Sequence, residues 1–286
     1  MSDTVDRSLD HLPPAAARLA ALLSRPKTVA AACVIVLAGL GWIYIALLVA
    51  VSEVPAGAGY LPRAFAVICQ AAPATGGDLF LVASMWSAMV LAMMLPSAAP
   101  MIFTYAEIAD TAARKGERIV SPLVLAGGYS AVWLGFAAGA ALAQLAFTRA
   151  GWIDGALASA GALFAGTLFL AAGLYQFSAL KDACLTQCQR PFPFFFAHWQ
   201  TTARGVFRLG LQQGLYCLGC CWAMMLLMFA TGAMNVLWMA ALGVVMTIEK
   251  MLPGRRFSYV IGAMMLAAGL GFMGVAVAAH WSPPAN

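Results

Sequence analysis

Seven apolar runs, separated by short segments that hold nearly all the charge, are the feature that most restricts the folds open to this chain. They lie near residues 28–50, 79–103, 121–147, 159–180, 210–231, 233–249 and 258–280. A helix needs about 20 predominantly apolar residues to cross a hydrocarbon core about 30 Å thick, and in lipid the backbone must satisfy its own hydrogen bonds. With 63% hydrophobic and 9% charged residues, the 286-residue chain has too little polar surface to cover a water-soluble globule. The expected fold class is therefore all-α, a polytopic transmembrane helix bundle of about seven helices. The sixth run is short, and the few residues between it and the fifth, Thr231 to Asn235 with Gly232 among them, predict a tight antiparallel pair.

Orientation follows from Lys and Arg, which are retained on the cytoplasmic side of short loops. A cytoplasmic N-terminus puts fourteen of the sixteen basic residues inside, leaving only Arg63 and Arg149 outside. This distribution accounts for the net charge of +5 without a basic face, so nucleic acid is not an expected partner. Residues 1–27, with Pro13 and Pro14, read as a cytoplasmic tail rather than a cleaved signal. Residues 28–280 form the transmembrane domain, 281–286 a C-terminal tail, and Val51–Asp78 the one substantial outside loop. The expected location is a bacterial inner membrane, with the lipid bilayer as the first partner.

Sulfur is concentrated in one part of this apolar chain. Five of seven cysteines, Cys184, Cys188, Cys217, Cys220 and Cys221, precede Met224, Met225 and Met228. Continued as a helix to Pro191, the fourth run puts Cys184 and Cys188 on one face, where two thiolates can chelate a soft ion. Lys181 and Arg190 lie near enough to favour the thiolate form. Cys217, Cys221, Met224 and Met228 follow the i, i+4, i+7, i+11 rhythm of one helix face. Gly219 beside them permits a neighbouring helix to approach. Thioethers are ligands chiefly for Cu(I) and related soft ions, so a Cys-to-Met stripe favours copper(I) over zinc. Met85, Met89 and Met93 add a second stripe at four-residue spacing, on a helix that Pro96 and Pro100 should kink, freeing backbone carbonyls.

Plainer readings stand beside these. Methionine in a membrane helix is usually flexible packing, and a lone buried cysteine such as Cys33 is a small hydrophobe. Cys69 is an isolated thiol in the outside loop. His198, between the aromatic run Phe192–Phe196 and Trp199, reads as interfacial first and as a metal ligand second. Glu249 and Lys250 read as an interfacial anchor with Lys250 snorkelling, ahead of a coupling or ligand role for Glu249. Gln176, Gln212 and Gln213 could bond between helices or wet a cavity. No phosphate-binding loop, Ser-His-Asp set or intramembrane carboxylate pair is present, which argues against hydrolytic chemistry.

The segment Trp86-Ser-Ala-Met-Val-Leu-Ala-Met-Met-Leu-Pro96 with Pro100, then Lys181, Cys184 and Cys188, then Cys217-Leu-Gly-Cys-Cys-Trp222, Met224, Gly232, Met234-Asn235 and Glu249-Lys250, resembles a bacterial family. It is the predicted metal-binding integral membrane protein family, domain of unknown function 2182. The resemblance covers roughly residues 75–255 and implies metal binding in the inner membrane, with no established reaction. The ligand chemistry then suggests a Cu(I)-handling protein that transports the ion, delivers it or assembles it into a membrane metalloprotein, with a metal chaperone as a second partner. Competing classes are a membrane thiol oxidoreductase and a structural or assembly subunit of a larger complex. Unless residues 189–208 fold back, the five thiols form two sites rather than one. A faint echo between Trp86–Met94 and Trp222–Met228, on oppositely directed helices, hints at an inverted repeat.

Overall fold

A computed structural model describes residues 26–52, 76–149, 162–231 and 236–281, so Cys69, most of the outside loop and the junction at Gly232–Asn235 lie outside the described residues. Every regular element among them is helical: α1 (Pro26–Ser52), α2 (Gly76–Arg114), α3 (Pro122–Arg149), α4 (Ala162–Tyr175), α5 (Ala179–Gln189), α6 (Pro191–Ala197), α7 (Ala203–Thr231), α8 (Val236–Met251) and α9 (Arg256–Trp281). The all-α expectation holds, but the expected seven spans resolve differently. Helices α1, α2, α3, α7 and α9 are long and apolar enough to cross a membrane, while α4 and α5 make a sixth candidate only as a pair bent by 66°. The 16 residues of α8 rise about 24 Å, short of a full hydrocarbon core.

The bend corrects the reading of the fourth run as one helix continuing past Lys181. The end of α4 tightens into three-residue turns, with Phe177 N donating to Leu174 O and Ser178 N to Tyr175 O. Ser178 then adopts an extended conformation (φ −72°, ψ 143°), and its hydroxyl accepts from Lys181 N at 3.1 Å. That is an N-cap, with Asp182 in the first turn favoured by the helix dipole. A helix restarted by its own cap can point elsewhere, and α5 turns back onto α7. Pro191 then opens α6 at the position where a missing N–H costs nothing.

Helix α7 is the hub: 67% of its most apolar window is buried, against 22–39% for the other long helices. It packs chiefly on α3, α5 and α4, while α2 lies against α1 and α3 and also receives α6 and α8. The α3–α7 contact is close because glycine faces glycine. A Cβ at Gly210 would collide with the Leu125 carbonyl and come 3.0 Å from Gly128 Cα; one at Gly128 would strike Phe207 O and lie 2.9 Å from Leu211 N. Without side chains, the two backbones touch, as small residues allow in membranes. Gly210→Leu is expected to destabilise the detergent-purified protein by about 1–3 kcal/mol, the range for overpacking. Gly135→Leu on the open side of α3, where a Cβ would meet nothing within 4 Å, should leave the thermal midpoint unchanged. Equal midpoints for the two variants would contradict this packing.

Helix α2 runs unbroken through Pro96 and Pro100. Pro96 removes the N–H that would bond Ala92 O, and Trp42 Nε1 of α1 donates to that carbonyl at 3.1 Å. The two tryptophans of the proposed echo differ in setting: Trp86 is fully buried and donates to Gln144 Oε1 at 2.7 Å, whereas Trp222 is 38% exposed.

Candidate metal centre

The thiol stripe of α7 faces inward, with Cys217, Cys220, Cys221, Met224 and Met228 all buried. The sulfurs of Cys217, Cys220 and Cys221 lie within 4.8 Å of one another, and those of Cys220 and Cys221 are 3.3 Å apart. Metal–thiolate bonds of about 2.3 Å put sulfurs about 3.8 Å apart around a tetrahedral ion and about 4.6 Å apart across a linear one. The three thiols thus stand at a spacing one ion can bridge with small side-chain rotations. Cys188 approaches the same group from α5, bordering one cavity together with Cys217. A thiol of α5 therefore adjoins the group of three on α7.

Cys184 is not part of the group formed by Cys217, Cys220 and Cys221. One helical turn before Cys188 on α5, it seats its sulfur on Gly219, where a Cβ would be only 2.5 Å from it. The glycine therefore serves the close approach expected of it, and the neighbour it admits is Cys184 itself. Tyr175, at the end of α4, donates to Gly219 O and stands edge-on to Trp222, closing this side. The bend at residues 176–178 turns α5 onto α7, where Cys188 borders one cavity with Cys217.

A second correction concerns Glu249 and Lys250, read from sequence as an interfacial anchor. Both are buried, because α8 brings its last turn against α2, α5 and α7. Lys250 Nζ donates to Ser97 Oγ of α2 at 2.6 Å and to Cys217 Sγ at 3.0 Å. An ammonium withdrawn from water needs a counter-charge. Of its two partners Cys217 can supply one, as the thiolate that binds metal. Tyr129 of α3 completes the surroundings of Cys217, its hydroxyl 3.0 Å from the sulfur and 3.1 Å from Met94 O.

Glu249 turns the opposite way and is clamped by Lys181 Nζ at 2.9 and 3.0 Å, a pair with 2% and 1% side-chain exposure. Lys181 is thus committed to Glu249 rather than to the thiols, and Glu249 is its counter-ion. Gln189 Nε2 donates to Glu249 O and Leu252 O, both at 2.8 Å, while Asp182 pairs with Arg255 on the exposed side. These bonds fasten both ends of α5 to the end of α8 and the turn that follows it, so they also fix where Cys188 stands.

A cavity of about 20 Å³ opens beside the cluster, bounded by Ser97, Tyr129, Cys188, Gln213, Cys217 and Lys250. It accommodates about one water-sized atom. The second methionine stripe is buried as well, Met89 and Met93 included, and Met93 packs near Gly243 of α8. His198 takes no part: its Nδ1 is 3.0 Å from Phe194 O and its ring lies over that of Phe194. Tyr129, Ser97 and the inward course of Lys250 had no local signature, since their meaning comes from helices far apart in sequence.

Residues 83–272, well over half of the chain, match the family described as PpoB2, copper chaperone. The chain belongs to that family. No curated protein and no solved structure gives a match. The family match agrees with the copper-related, metal-binding character read from the sequence, although it does not name the domain of unknown function 2182. A buried cysteine cluster among membrane-length apolar helices fits a copper-handling membrane protein.

Proposed function

We propose that this PpoB2 family protein binds one Cu(I) ion through Cys188, Cys217, Cys220 and Cys221 and hands it on to a membrane metalloprotein. It sits as a multi-pass protein in the bacterial inner membrane with its N-terminus in the cytoplasm. The carrying observation is the convergence of an α5 thiol with three α7 thiols around a buried ammonium. Soft thiolates match a soft monovalent ion, and the two-to-four-coordinate geometries they can form suit Cu(I). Cys184, partly exposed and one turn before Cys188 on α5, is the first thiol an incoming ion meets, received from a cytoplasmic metal chaperone. Met224 and Met228, one and two turns beyond Cys221, extend the soft path along α7. Thioether participation favours copper over zinc.

Elemental analysis of anaerobically purified protein tests the reading, beside a variant carrying Cys217→Ser, Cys220→Ser and Cys221→Ser. Near-stoichiometric copper in the native protein and none in the variant is the expected result. Absence of copper from both, with the thiols reactive, would refute it and favour a redox role for the cysteines.

A further inference from the structure

Among the described residues, four buried polar side-chain atoms have no hydrogen-bond partner: Trp133 Nε1, Gln176 Oε1, Trp199 Nε1 and Gln213 Nε2. Only Gln213 also borders the cavity at the thiols. It is 2% exposed and stands one helical turn before Cys217, at the head of the stripe that continues through Cys221. A buried amide N–H without an acceptor costs about 1–3 kcal/mol, so a helix of otherwise apolar interior positions carries a local penalty here. The remaining polar groups of the cavity do not relieve it. Lys250 is a donor and is already spent on Ser97 and Cys217, and the Tyr129 hydroxyl is engaged with Cys217 and Met94. The thiols that border the same cavity as the amide are those of Cys188 and Cys217, of which Cys217 already accepts from Lys250.

A neutral thiol accepts hydrogen bonds weakly, whereas a metal-bound thiolate keeps lone pairs and negative charge that an N–H can meet. We infer that Gln213 is a positioning residue of the copper site, whose amide donates to the metal-bound thiolate of Cys188 or Cys217 and so favours the loaded state over the empty one. This inference rests on the proposed Cu(I) reading of the same cluster. Outer-sphere donors of this kind orient ligand atoms and withdraw part of their charge, and their loss typically weakens metal binding about 10–100-fold.

The test uses full-length protein in detergent, with Gln213→Leu removing the donor at similar volume and Gln213→Glu replacing it by an acceptor. Thermal unfolding of metal-free protein is compared with Cu(I) affinity measured by competition against a chromophoric Cu(I) chelator. Gln213→Leu should keep or raise the metal-free midpoint, because the orphan N–H is gone, and should weaken Cu(I) binding about 10–100-fold at unchanged stoichiometry. Gln213→Glu should weaken it at least as much. A side chain that served packing alone would give the reverse signature, a lower metal-free midpoint with affinity within twofold, and that result would overturn the inference. Native affinity in Gln213→Leu would overturn it as well while leaving the copper site intact. Native protein that takes up no Cu(I) would instead remove the reading on which the inference rests.

Discussion

Cys217→Ser is expected to weaken Cu(I) binding by more than the 10–100-fold, or about 1.4–2.8 kcal/mol, that an outer-sphere change produces. Cys184→Ser should alter equilibrium affinity less than threefold. The contrast follows from geometry. Cys217 sits among Cys188, Cys220 and Cys221, receives the Lys250 ammonium at 3.0 Å and faces the Tyr129 hydroxyl at 3.0 Å. Serine there substitutes a hard oxygen for a soft sulfur and leaves a buried ammonium without an anionic partner. Cys184 is seated on Gly219 outside the group, so its loss should slow loading from a Cu(I) donor more than it changes the final affinity. Competition titrations and stopped-flow loading of the two variants measure both effects. Equal losses of affinity would mean that all five thiols bind a common ion, which the present geometry opposes.

What could be read from the sequence divides along the reach of local periodicity. The apolar runs dictated helices because lipid leaves the backbone no other partner, and the 3.6-residue repeat put Cys217, Cys221, Met224 and Met228 on one face that is indeed buried. Gly219 was legible for the same reason: a missing side chain next to thiols marks a close approach. The membrane count was less legible, because composition cannot distinguish a straight span from one interrupted by a serine cap. Ser178 followed by Asp182 was the available signal, outweighed by the apolar run around it.

The charges were misread for a physical reason. Lysine near the end of an apolar helix ordinarily snorkels to the interface, and only partners distant in sequence reverse that preference. Lys250 finds Cys217 33 positions earlier and Ser97 153 positions earlier; Lys181 finds Glu249 68 positions later. No window along the chain contains those pairs. The site is therefore half periodic, the α7 stripe, and half tertiary, the α5 thiol with the α8 and α3 groups that surround Cys217.

Lys181→Met should destabilise the protein by about 3–5 kcal/mol, the cost of leaving one member of a buried ion pair without its partner. The carboxylate of Glu249 accepts two bonds from Lys181 at 2.9 and 3.0 Å, and neither side chain reaches solvent. Glu249→Leu alone should cost a similar amount by stranding the ammonium. The double variant, Lys181→Met with Glu249→Leu, removes both charges and should recover most of the loss, since an apolar pair of comparable volume is often as stable as a buried ion pair. Unfolding in mixed micelles gives the coupling directly as a double-mutant cycle, and single variants each costing less than about 1 kcal/mol would show that the pair is not withdrawn from water. The functional consequence separates stability from positioning. Lys181 lies two turns before Cys188 on α5, so an apolar contact in place of the ion pair can hold the fold while relaxing the direction in which that thiol is held. The double variant is therefore expected to regain stability but to bind Cu(I) more weakly than the native protein. Full recovery of both properties would mean that Gln189 and the Asp182–Arg255 pair suffice to set the position of α5.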